Sequence, residues 1–138
     1  MHIVLDTNIL VGACKGSYYA NRLLVACLEG RFTPLVGVAL LAEYEGVLAR
    51  DEIFTDSNLS SDERDELLNA LLSVSKWVKV FYLWRPNLKD EADNHLVELA
   101  VAGNARCIVS HNKKDFRQNE LDFGIAIHTP QELLESVL

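Results

Sequence analysis

At 138 residues, with 49% hydrophobic and 24% charged residues, the chain has the size and composition of one globular domain, which excludes a disordered chain and a fold needing disulfide or metal staples. Its three cysteines, Cys14, Cys27 and Cys107, are far apart and form no C-x-x-C pair, so they read as small buried hydrophobes in a reducing cytoplasm. The formal net charge of -7 argues against a broadly basic nucleic-acid-binding surface, but it allows acids gathered around a divalent cation.

In chain order, His2–Leu5 reads as a short apolar strand with polar Asp6-Thr7-Asn8 at its C-terminal end. An acid so near the start, with no long apolar run, leaves no signal peptide or membrane helix there. Residues 18–29 read as a helix, Thr33–Val36 as a strand, and Val38–Arg50 as a helix whose Leu40, Leu41, Tyr44, Val47 and Leu48 recur at helical spacing, with Glu43 on the flank of that stripe. Ser60 and Glu63 form a capping-box signal that opens a helix through about Lys76. A strand then fits Val78–Leu83, and Trp77, Phe81, Tyr82 and Trp84 read as core or interface aromatics.

Asp90 to Asp93 lead into a helix carrying Leu96, Leu99 and Ala100, which Gly103 ends in a left-handed position. Arg106–Val109 is the next strand, Ser110–Arg117 a polar turn, and Ile125–His128 the last strand. Thr129-Pro130-Gln131-Glu132 supplies cap, first-turn proline and N3 acid for a final helix. With no repeat or linker, residues 1–138 are expected to form one α/β domain, its mostly parallel central sheet flanked by helices.

In open α/β sheets the site lies beyond the carboxyl ends of the strands. Asp6 follows the first strand there, and Ser110, Asn112 and Asp115 follow the strand ending at Val109; Asp90 and Asp93 stand at a helix start. Mg2+ and Mn2+ favour such hard oxygen ligands, and phosphodiester hydrolysis by two metals needs several carboxylates. Packed together without a cation, these acids would repel one another.

The strand ending in Asp6-Thr7-Asn8, the helical Glu43, the run Asp90-Glu91-Ala92-Asp93-Asn94-His95-Leu96 and the run Ser110-His111-Asn112-Lys113-Lys114-Asp115-Phe116 together resemble the PIN-domain family, which includes the VapC toxins of toxin-antitoxin pairs. The resemblance implies a Rossmann-like three-layer sandwich. It also implies a Mg2+- or Mn2+-dependent endoribonuclease cutting single-stranded RNA, with Asp6, Glu43, Asp93 and Asp115 as its acids. On that reading Asp6, Asp93 and Asp115 hold metal, the last through a second ion or water, and Glu43 is a ligand or water-orienting base. Asn8 and Ser110 orient carboxylates, with Asn112 and Asp90 as further supporting positions. The partners implied are RNA, an antitoxin protein and a second copy of the chain, with no membrane. Many relatives carry aspartate where this chain has Asn112, and threonine is more usual at Ser110.

Blander roles stand beside these. Asp6, Asp90 and Asp93 also suit helix N-caps, and Glu29, Asp51, Asp56, Asp62, Asp65, Glu66 and Glu135 suit solvated surface. Glu43 beside a buried stripe costs free energy unless it is paired or coordinating. His95 and His111 lack a histidine partner at ligand spacing, and His111 reads as exposed. Lys113, Lys114 and Arg117 form the basic cluster beside the acids, suited to substrate phosphate or to a solvated turn. A haloacid-dehalogenase-like phosphatase would want Asp where Asn8 stands, and a receiver domain would want its acceptor Asp after a central strand and a Lys after a later one. The rival from another class is a PIN-like module that binds RNA or protein without cutting.

Overall fold

The computed structural model describes residues 1–80, 91–112 and 125–136, with 91–94 by backbone alone. Among these, five strands form one sheet: β1 (His2–Leu5), β2 (Thr33–Val36), β3 (Lys76–Trp77), β4 (Cys107–Val109) and β5 (Ala126–His128). Their order is β3-β2-β1-β4-β5, and every pairing is parallel. Ile3, Val4 and Leu5 are all fully buried, as are Ile108 and Val109, so side chains on both faces of the central strands are covered. The covering layers are drawn from α1 (Thr7–Cys14), α2 (Tyr18–Leu28), α3 (Val38–Leu48), α4 (Ser61–Ser73), α5 (Glu91–Ala102) and α6 (Pro130–Ser136). The result is the doubly wound three-layer architecture that the alternation of elements predicts.

Capping chemistry sets several boundaries. Ser60 and Glu63 exchange both capping-box bonds, at 3.2 and 2.9 Å, and Thr129 and Glu132 repeat the exchange at 3.2 and 2.9 Å. The helix bearing Glu43 ends at Leu48, two residues short of the expected Arg50, and a 3-10 turn follows over Asp51–Phe54. Arg64 of α4 holds that end. Its buried guanidinium donates to the Leu48 carbonyl (2.9 Å), pairs with Asp51 (2.5 Å) and lies over the Phe54 ring.

Three expectations are corrected. The third strand is Lys76–Trp77 rather than Val78–Leu83, and α4 stops at Ser73 instead of running to Lys76. Residues 81–83 lie outside the described residues. The reason is the short neighbour: β2 ends at Val36, where Gly37 caps α3, so only Leu35 and Val36 offer a ladder, and Val78 N–H makes the last bond to Val36. Trp77, read as a core or interface aromatic, is therefore on an edge strand and 55% exposed, which removes the first of those alternatives; Phe81, Tyr82 and Trp84 lie outside the described residues.

The third correction concerns the end of α5. Asn104, not Gly103, takes the left-handed conformation, at φ 55°. Its N–H bonds Val101 and that of Ala105 bonds Ala100, the two bonds of a Schellman ending. Gly103 is needed for a different reason: a Cβ there would sit 2.5 Å from Leu35 Cδ1 and 3.0 Å from Val78 Cγ2, where α5 crosses β2. Gly103→Ala should therefore destabilise the fold by about 1–3 kcal/mol through overpacking. Asn104→Gly should be neutral or stabilising by up to about 1 kcal/mol. Urea denaturation of both variants checks the pair, and the reverse ranking would contradict this assignment.

Candidate active site

The strand order reverses between β1 and β4: the chain winds outward from β1 to β3 and then returns to lay β4 on the other side of β1. A crevice opens at the carboxyl ends of strands at such a point. The register pairs Leu5 with Val109, and Asp6 N–H continues it with a 2.9 Å bond to the Val109 carbonyl. Asp6 and Ser110 are thus the next pair in register. Partners in a parallel ladder project to the same side, and the Ser110 hydroxyl donates to Asp6 Oδ2 at 2.8 Å.

Asp6 also occupies the N-cap position of α1, the local alternative raised by its sequence context. Its side chain makes no capping bond to that helix. The carboxylate turns to the sheet end instead, only 9% exposed. From the first turn of α1, Asn8 Nδ2 donates to Ser110 Oγ (3.2 Å) and to Asp6 Oδ2 (3.4 Å), while Asn8 Oδ1 accepts from the His111 N–H (3.2 Å). Ser110 Oγ accepts a further bond from the Asn112 N–H at 3.0 Å. That hydroxyl now donates once and accepts twice, its full capacity, and a threonine hydroxyl would serve equally. Asn112 reaches this network through its backbone N–H, which any residue but proline supplies.

Glu43 comes from α3, whose Leu40, Tyr44 and Leu48 are buried against the core. The Tyr44 hydroxyl donates to the Leu5 carbonyl at 2.6 Å, anchoring α3 to the end of β1 one residue before Asp6. Glu43 Oε1 accepts from Thr7 Oγ1 (2.8 Å) and Oε2 from His95 Nε2 (2.5 Å). Neither was assigned to Glu43 from sequence. His95, which the sequence showed only to lack a histidine partner at ligand spacing, is the partner that Glu43, beside a buried stripe, required. That need was a legible signal, but no sequence rule pairs residues 52 positions apart.

The two carboxylates are driven in opposite directions. Burial, with a smaller contribution from the charge of Glu43, raises the pKa of Asp6 against the opposing bond from Ser110. The His95 hydrogen bond, helped by Thr7, lowers that of Glu43 against partial burial. Among the described residues the charges acting on Asp6 are those of Glu43 and His95, with no lysine or arginine.

Asp93 lies on α5, two residues before His95, and its side chain is not described. Asp90, Lys113, Lys114, Asp115 and Arg117 lie outside the described residues. Among the described residues no group of three or more histidine, cysteine, aspartate or glutamate side chains is placed to hold a metal ion. Asp6 and Glu43 are the acids seen together. The three cysteines are buried and free, as expected, and burial pushes the thiols of Cys27 and Cys107 up to about 12 and about 11. His111 is exposed, also as expected. A separate cavity of about 570 Å³ beside α2, lined by Tyr18, Asn21, Arg22, Glu29 and Arg31 among others, contains neither Asp6 nor Glu43.

Fold and site together define a doubly wound α/β domain with carboxylates at its switch point. The chain belongs to the PIN-domain family, whose family model matches residues 2–114. In fold it is similar to a chain of the VapBC2 complex from Rickettsia felis, a structure solved with a DNA fragment from the promoter of that pair. The TM-score is 0.60 at 19% identity, over 94% of this chain and 98% of that one. No curated protein matches the sequence.

The opposed shifts carry a stability signature in metal-free protein. The folded-state pKa of Asp6 is raised, so its favourable contribution is complete below the unfolded value of 3.8 and is lost as pH rises through the folded value. At neutral pH the ionised group is then a burden. Asp6→Asn should raise Tm at pH 7 and lose that advantage below about pH 3.8. For Glu43 the folded value is lowered, so its contribution is present above 4.5 and is lost as pH falls through the folded value. Glu43→Gln should accordingly lower Tm at pH 7. Thermal denaturation across pH in EDTA reads both, and shifts of the same sign at pH 7 would refute the opposed environments.

Proposed function

We propose that this protein is a divalent-metal-dependent endoribonuclease that hydrolyses phosphodiester bonds of single-stranded RNA. The observation that carries the reading is the buried carboxylate of Asp6 at the β1–β4 switch point. It is bonded by Ser110 and Asn8 and shares its site with Glu43, and among the described residues no lysine or arginine acts on it, only the imidazole of His95, which is bonded to Glu43. Membership of the PIN-domain family supports the same reading.

The donor set fits Mg2+ or Mn2+, because the acids present hard oxygens and a buried carboxylate such as that of Asp6, with no lysine or arginine beside it among the described residues, is costly. Asp6 and Asp93 would hold the ion directly, and Asp115 would hold a second one or act through water. The chemistry such an ion supplies is polarisation of the phosphodiester and activation of water. The residues of the chain do the remainder. Ser110 and Asn8 fix the orientation of Asp6, and Thr7 and His95 fix that of Glu43, which accepts or directs the proton of the attacking water. Asn112 and Asp90 support the frame. Lys113, Lys114 and Arg117 contact substrate phosphate, offsetting locally the net charge of -7.

The similarity to a VapBC2 chain supports a further part of the proposal: the protein is the toxin of a toxin-antitoxin pair, held by an antitoxin protein. A homodimeric assembly and action in the cytoplasm complete the proposal. Among the described residues no helix is long and apolar enough to cross a membrane.

Cleavage of a fluorescent single-stranded RNA by purified protein with Mn2+ or Mg2+ tests the enzyme. Cutting should be abolished by EDTA, by Asp6→Asn and by Asp93→Asn, with a Tm for Asp6→Asn at or above that of the parent. Cutting that persists in both variants would remove the site assignment. No cutting by the parent would leave the non-catalytic binding module as the reading to pursue.

A further inference from the structure

We infer that His95 is a positioning residue for Glu43, an inference that rests on the proposed nuclease reading and adds to it a residue outside the acidic set. Glu43 has three side-chain torsions and is about one-third exposed (35%), conditions under which a glutamate samples many rotamers. Here each oxygen is held by a different element. Thr7 of α1 bonds Oε1 at 2.8 Å and His95 of α5 bonds Oε2 at 2.5 Å, while the backbone of Glu43 belongs to α3. Two donors at the two ends of a carboxylate fix its plane as well as its location. Each oxygen keeps a second lone pair for another partner.

The other ring nitrogen is the second observation. His95 Nδ1 is buried and has no hydrogen-bond partner among the described residues. A buried polar atom left unpaired costs free energy, and an apolar side chain would fill the same space between α3 and α5 without that cost. The polar commitment of the ring is therefore to Glu43. Because an ionised carboxylate only accepts, the hydrogen is on Nε2. His95 is two positions after Asp93 on the same helix, so this bond also ties the helix that carries one acid to the side chain of another.

The test compares His95→Ala, His95→Asn and His95→Gln in the full chain. Glutamine presents its amide nitrogen near the position of imidazole Nε2, whereas asparagine presents it near that of Nδ1, short of Glu43. Two readouts are taken, kcat and KM on single-stranded RNA and Mn2+ affinity by calorimetry, with Tm recorded for each form. Loss of an orienting bond at a metal site typically costs about 10–100-fold. His95→Ala and His95→Asn should lose that much in kcat or in Mn2+ affinity while KM for RNA changes less than about twofold, and His95→Gln should regain most of it.

Parent-like values of both readouts in the alanine and asparagine variants would overturn the inference. So would a glutamine variant no better than alanine, since the ring would then merely fill space. If the parent cuts no RNA, the nuclease reading fails by itself and the Mn2+ series still decides. The same ranking upholds the positioning role; a flat series, or no Mn2+ binding by any form, removes it.

Discussion

The structure depends on the parallel pairing of β1 with β4. Hydrophobic burial on both faces sets that pairing, because Ile3, Val4 and Leu5 on one strand and Cys107, Ile108 and Val109 on the other have no exposed face on which to slip. The first residues beyond this dry region are Asp6 and Ser110, and the register places them side by side. A carboxylate at that boundary is largely removed from water, and the hydroxyl beside it replaces only part of its lost hydration. The polar network of Asn8, Ser110, His111 and Asn112 follows from that placement, and Tyr44 braces the same strand end from α3.

A stability cost is concentrated there. Two carboxylates share the site, one raised by burial and one lowered by the hydrogen-bonded imidazole of His95, and among the described residues no lysine or arginine relieves the repulsion between them. Folds tolerate such local strain where function demands it, and removing a charge from such a place commonly stabilises. Elsewhere the chain manages its polar groups conventionally. Arg64 is buried but satisfied by the Leu48 carbonyl and Asp51, and the capping boxes at Ser60 and Thr129 pair their own donors. The contrast between Arg64, which binds parts of the fold together, and Asp6, which does not even cap its own helix, separates structural polarity from a site.

The resemblance to a Rickettsia felis VapBC2 chain at 19% identity shows how little of this architecture depends on particular residues. A short strand needs only a run of apolar side chains, and a crossover helix needs only an apolar stripe and a cap, so the sheet order survives wide divergence. Around the acids this chain has serine at position 110, which saturates its hydroxyl as fully as threonine would, and a histidine on α5 that grips Glu43.

By itself the sequence determined what is local: β1 and β2 to the residue, the start of α3, both capping boxes, the α/β class, and the motifs that place Asp6 and Ser110 at strand ends. Each of these rests on periodicity or on contacts a few residues apart, which a linear reading contains. Only the tertiary structure decided the rest, because it depends on neighbours remote in the chain. The length of β3 is set by where β2 stops, Gly103 is required by the side chain of Leu35 across the crossing and not by its own φ, and the carboxylate of Asp6 is claimed by Ser110 rather than by its own helix. The partners of Glu43 are 36 and 52 residues away. Proximity of that kind is created by the packing of α1 and α5 around α3, and no pattern in the sequence encodes a distance across space.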